Sequence, residues 1–215
     1  MQVPLQYYFI ALSALAGFLA LMQKGINRSL WIFPFFLVFT LIIELIGLHM
    51  SNANIHNADL YNFFSLAAFT FYMYLLMQVV YSARARRIIL YTMTAYVVIS
   101  LVNILFIQKI NTFHTLTYSI GCFLIVVISM YYFYELLQVP RSINLKREPA
   151  FWIVAGLLFF YICTLPILGV ANYLFSFPSV IARSLEQIIT ILNILLYSLF
   201  TIAFLCRISF RRSML

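Results

Sequence analysis

The chain is predicted to be all-α: an integral membrane bundle of seven transmembrane helices, one domain over residues 1–215, with its N-terminus outside and its C-terminus cytoplasmic. Three observations carry this. First, 65% of the 215 residues are hydrophobic and only 8% charged, against roughly 25% charged in soluble proteins. A water-soluble globule would leave large apolar patches exposed. Second, the apolar residues gather into seven runs, each near the ~20 residues needed to cross a hydrocarbon core at about 1.5 Å per residue. Third, the cations fall mainly on alternate connections.

The runs follow in order. The first, 5 to 22, lacks the basic start of a secretory signal, because Lys24 and Arg28 follow it, and it reads as a span. The second, 30 to 49, carries Pro34 near its start and Thr40, Glu44 and Ser51 at helical spacing. The polar stretch SNANIHNAD then leads to the third run, 60 to 81, where Asp59 is placed to cap a helix beginning at Leu60. Arg84, Arg86 and Arg87 precede the fourth run, 88 to 107, which bears Thr92, Tyr96, Ser100 and Asn103. The fifth is 115 to 137, the sixth 150 to 171 with Pro166 in CTLPILG, and the seventh 184 to 206. None shows the short alternating segments of a β-barrel, and in lipid each backbone amide must be satisfied within its own segment, so helices are expected. Connections of about 6 to 13 residues make successive helices antiparallel neighbours.

Orientation follows from the positive-inside rule. Lys24 and Arg28, the arginines at 84, 86 and 87, then Arg141, Lys146 and Arg147, and finally Arg207, Arg211 and Arg212 occupy the odd connections and the tail. The even connections hold only Lys109 and Arg183. This places the odd side in the cytoplasm and the histidine-bearing 49–59 segment outside, in a plasma or inner membrane. The formal charge of +8 is therefore read as topology and contact with anionic lipid headgroups, not as nucleic-acid binding. The Asn27 sequon falls on the cytoplasmic side, where it stays unmodified.

Polar residues within spans usually face the bundle interior. Glu186, Thr190, Asn193, Tyr197 and Thr201 are spaced 4, 3, 4 and 4 apart, which holds them within roughly an 80° arc of one helix. Glu44 lies about 21 Å from the inner start of its helix at 1.5 Å per residue, at a depth similar to Asn103, Tyr118 and Thr164. A pocket opening outward and floored near Asn193 is expected. Its ligand-binding residues are Glu44, Asn103, Tyr118, Thr164, Glu186, Thr190, Asn193 and Tyr197. Burying a carboxylate without a cation costs several kcal/mol, so Glu44 is expected to be protonated or hydrogen-bonded to Asn103, Asn193 or a tyrosine. Interhelical hydrogen bonding, at about 0.6 kcal/mol per contact, is the structural alternative for the uncharged residues.

His49, His56 and His114 are expected to be solvated at the outer surface. No His-x3-His pair, no metal-ligand cluster and no ligand spacing among Cys122, Cys163 and Cys206 occurs, so neither metal nor cofactor is expected.

The architecture resembles that of microbial rhodopsins and of receptors coupled to G proteins. A retinal-binding lysine would have to lie in the last span, whereas Lys24, Lys109 and Lys146 are all in connections. YICTLP, ending at Pro166, and NILLY, from Asn193 to Tyr197, are similar to the receptors' Cys-x-x-Pro and Asn-Pro-x-x-Tyr signatures, but the second lacks its proline. The acidic-Arg-Tyr signature and an outer cysteine pair are missing too. Carriers of the SWEET type would need matching prolines in two halves, and Pro34 and Pro166 do not match. No family is assigned.

The function expected is a receptor- or sensor-like module that binds a small lipophilic ligand and acts through a separate cytoplasmic partner at the basic inner segments. The alternatives are a small solute or proton-coupled transporter, an embedded structural subunit and a lipid-modifying enzyme. The last is weakest, because the spans hold no aspartate pair and no serine nucleophile motif.

Overall fold

The computed structural model describes residues 4–22, 28–107, 112–138, 145–171 and 179–212, with side chains except at 28, 29, 146, 170, 171, 179–183 and 209–212. Seven α-helices follow one another: α1 Leu5–Leu21, α2 Arg28–Asn52, α3 Ala58–Val79, α4 Ala83–Val102, α5 Thr115–Gln138, α6 Pro149–Ala171 and α7 Ser179–Arg212. A π-helical turn, Asn103–Ile107, extends α4, and a 3-10 turn, Leu145–Arg147, precedes α6. No strand occurs among the described residues. Six of these helices contain stretches long and apolar enough to cross a membrane, and α1 is an apolar helix of 17 residues. The architecture is that of a multi-pass helical membrane protein.

Lys24, Lys109 and Arg141, the side chains of Arg28, Lys146, Arg183, Arg211 and Arg212, and the Asn27 sequon lie outside the described residues.

Two compact units divide the chain: residues 1–41 with 139–215, and residues 42–138. In the first, α7 packs with α1 and with α6. Alpha-helix α1 turns small residues inward, with Ser13, Ala14, Ala16, Gly17 and Ala20 all buried. Small residues permit close helix approach where lipid provides no hydrophobic drive to association. Phe33 of α2 is fully buried. Its ring meets Phe200 at 4.9 Å, edge to face, and Phe204 at 5.4 Å. Val154 and Leu157 of α6 and Ala203 of α7 are also fully buried.

In the second unit, α3 packs against both α4 and α5. Its core holds Phe69, Met73 and Leu76 of α3, Ile89 and Tyr96 of α4, and Ile125 and Tyr132 of α5. The α2–α3 turn is closed by backbone geometry. Ile55 N–H donates to Met50 O at 2.8 Å and Asn54 N–H to Ser51 O at 3.1 Å, with Asn54 at φ 55°. This is a Schellman-type end, which needs a left-handed residue that asparagine tolerates better than most.

Two expectations fail here. Helix α3 begins at Ala58 behind Asn57, with no side-chain cap, so Asp59 sits in the first turn and does not cap it. There its charge still meets the positive end of the helix dipole. His114 is buried at 3% exposure, unlike the exposed His49 and His56. The reason is its place at the head of α5. Asn62 accepts from His114 N–H at 2.9 Å through Oδ1 and donates through Nδ2 to Thr112 O at 2.9 Å. One buried asparagine thus ties α3 to the entry of α5.

Candidate functional site

The second unit concentrates polar chemistry around Glu44. Tyr61 Oη donates to Glu44 Oε2 at 3.4 Å, long beside the usual range of about 2.5–3.0 Å for O–H···O. Two features let α2 and α3 approach here. Residues 44 and 61 lie nearly equidistant from the turn at Ala53, so a helical hairpin brings them level. Gly47 supplies the clearance, because a Cβ there would collide with the Tyr61 hydroxyl and lie 2.9 Å from its Cζ. Asn57 Nδ2 also reaches Gly47 O at 3.5 Å.

Glu44 in turn lies within electrostatic range of the Tyr118 hydroxyl, as do Tyr72, Tyr96 and Cys122. Alpha-helices α2 to α5 therefore each contribute. Phe69 organises the rings: its centroid is 5.8 Å from Tyr96 and 5.0 Å from Tyr118, both edge to face. Gly121 makes room for it, since a Cβ there would lie 2.6 Å from Phe69 Cδ2. Edge-to-face pairs of this kind add about 0.5–1.5 kcal/mol each beyond burial. The result is a half-buried carboxyl group beside the Tyr61 and Tyr118 phenols, next to an aromatic cluster. It can accept or donate hydrogen bonds to one polar group on an otherwise apolar molecule.

The stripe expected on the fourth run is largely inward. Tyr96, Ser100 and Asn103 are each 2% exposed, while Thr92 is half-buried and donates to Ile88 O at 2.9 Å. Asn103 opens the π-helical turn, a local widening that recurs at functional sites. Ser51, on the second run, is exposed.

The remaining expected residues, Thr164, Glu186, Thr190, Asn193 and Tyr197, belong to the first unit. Thr164 is buried and donates to Phe160 O at 2.8 Å. On α7 the polar side chains turn to their own backbone: Thr190 to Glu186 O at 2.9 Å, Asn193 to Ile189 O at 3.1 Å and Thr201 to Tyr197 O at 2.8 Å. Tyr197 is buried and Glu186 exposed. Within the first unit, outside the spans, burial pushes the Glu148 carboxyl above its ordinary range while Arg207 pulls it back.

Sequence reasoning overlooked four residues: Tyr61, Tyr72, Asn62 and Glu135. Glu135 is 9% exposed. Its Oε2 accepts from Tyr81 N–H at 2.7 Å and its Oε1 from Ser82 N–H at 3.0 Å. A lone acid in the last turn of an apolar run was the available signal, since it needs donors wherever it is buried. No group of three or more metal-ligating side chains occurs among the described residues. No family model matches the chain, and neither a curated protein nor a solved structure matches it.

Proposed function

We propose that this multi-pass membrane protein is a receptor- or sensor-like module of a plasma or inner membrane. Its ligand-responsive centre is Glu44 with Tyr61 and Tyr118, reached from outside, and Asn103 lies at the adaptable turn of α4. The polar groups of the first unit, Thr164, Glu186, Thr190, Asn193 and Tyr197, form its second set. The ligand is small and lipophilic, with one hydrogen-bonding group. The signal passes to a separate cytoplasmic partner at the basic inner segments. Such a ligand must favour one helix arrangement over another, or nothing is transmitted.

The observation that supports this reading is the Tyr61–Glu44 hydrogen bond, with Glu44 also within electrostatic range of Tyr118. A proton-coupled carrier has less support, because the Thr190, Asn193 and Thr201 side chains donate to carbonyls of their own helix. The experiment is thermal unfolding in lipid nanodiscs titrated with indole, 4-methylphenol or decan-1-ol. At one hundred times its Kd a ligand of the native state adds about 2.7 kcal/mol. At least one probe is expected to raise Tm saturably in the wild type, and Glu44→Gln and Tyr61→Phe to lose that rise. Identical shifts in the variants, no saturable shift, or Glu44-dependent proton flux in proteoliposomes overturns the proposal.

A further inference from the structure

We infer that the groove between α4 and α5, at the arginine-bearing start of α4, binds one anionic glycerophospholipid. This inference rests on the membrane architecture and not on the sensor reading. The cavity holds about 240 Å³ and is lined by Arg84, Ile88, Ile89, Val127, Ile128 and Tyr131, together with Ser82 and Ala85. Its lips face outward from the unit: Ile88 is 58% exposed and Val127 45%. Ile88 lies about 8 Å beyond the first residue of α4 at 1.5 Å per residue, inside the hydrocarbon. An acyl chain suits that floor, where Ile88, Ile89, Val127 and Ile128 form the walls.

The rim has the opposite character. Arg84, Arg86 and Arg87 are exposed on the first turns of α4. Arg86 Nε donates to Val80 O at 2.7 Å, whereas Arg84 and Arg87 make no hydrogen bond or ion pair among the described residues. The Glu135 carboxylate, bonded to the residues just before α4, already accepts from the Tyr81 and Ser82 amides. Arg84 lines the mouth itself, with Arg86 and Arg87 on the same first turns of α4, so a positive charge stands over an apolar slot beside a carboxylate that is already occupied. A phosphodiester headgroup with a net negative charge satisfies the rim while its chain fills the slot. A zwitterionic lipid brings its own cation to the arginines, and a soluble acidic protein reaches the rim but not Ile88 or Val127.

The test uses the full-length protein, delipidated in detergent, with retained lipid read by native mass spectrometry. Dioleoyl phosphatidylglycerol is compared with dioleoyl phosphatidylcholine. The wild type is expected to retain phosphatidylglycerol preferentially. Arg84→Gln should weaken that affinity about fivefold, the worth of one arginine near an anionic surface, without changing phosphatidylcholine. Ile88→Trp should weaken both by filling the slot, and Arg147→Gln should change neither. Both Arg84 and Ile88 are exposed, so the variants are expected to fold. Equal retention of the two lipids, an Arg147→Gln loss matching Arg84→Gln, or Arg84-dependent binding of a soluble polyglutamate peptide without phosphatidylglycerol retention overturns the inference.

Discussion

Replacing Glu135 removes the side chain that accepts from both the Tyr81 and Ser82 amides, and the cost follows from the geometry. The carboxylate accepts at 2.7 Å and 3.0 Å and is 9% exposed. Glu135→Ala leaves two part-buried donors without their acceptor. Each unsatisfied donor costs about 1–3 kcal/mol, so the variant should lose about 4 kcal/mol. Glu135→Gln keeps one acceptor and loses the charge, for about half that loss. For a chain of this length 1 kcal/mol corresponds to roughly 2–4 °C. Thermal unfolding in nanodiscs should therefore fall about 12 °C for the alanine variant and about 6 °C for the glutamine variant. Glu186→Ala, at an exposed carboxylate, serves as the control and should stay within about 0.5 kcal/mol. Equal Tm values for wild type and Glu135→Ala would show that the α4 start is not held this way.

Gly121→Ala drives a Cβ into Phe69 at 2.6 Å and should destabilise by about 1–3 kcal/mol, read as a lower Tm. Asn62→Ala removes both bonds to the α5 entry and should cost about 2–4 kcal/mol, with faster amide exchange at His114 than in the wild type. Glu148 gives a pH signature: its carboxyl is raised above the ordinary 4.5, chiefly by burial, so the neutral form is favoured in the folded state. The stability this provides is complete below pH 4.5 and is lost as pH rises through the folded value. Glu148→Gln should remove that decline, whereas a wild type that gains stability over the same window relative to Glu148→Gln contradicts the assignment.

Helix number and most helix ends were legible because a bilayer sets length and hydropathy together. The exceptions have local causes. Alpha-helix α4 starts at Ala83 and not at 88, because Ser82 caps it, accepting from Ala85 N–H at 3.3 Å, and the arginines fit its first turns. Alpha-helix α7 runs from Ser179 to Arg212, past the 184–206 run at both ends, since hydropathy marks a hydrocarbon crossing and not where the backbone ladder stops. The site was legible only in part. A tyrosine was one of the partners, with Asn103 and Asn193, that the cost of burying a carboxylate offered Glu44, and that it is Tyr61 follows from the level set by the α2–α3 turn. The π-helical turn at Asn103 leaves no mark in periodicity. Nor does angular position on a helix distinguish a threonine facing a cavity from one, like Thr190, that bonds its own backbone.

The most direct measurement is the reactivity of Glu44→Cys, in a background where Cys122, Cys163 and Cys206 are serine, toward a charged, membrane-impermeant methanethiosulfonate. Reaction only from the face bearing the 49–59 segment, slowed by whichever probe raises Tm, is the predicted result. Modification from the arginine-bearing face, from both faces, or from neither would contradict an outward-opening centre at Glu44.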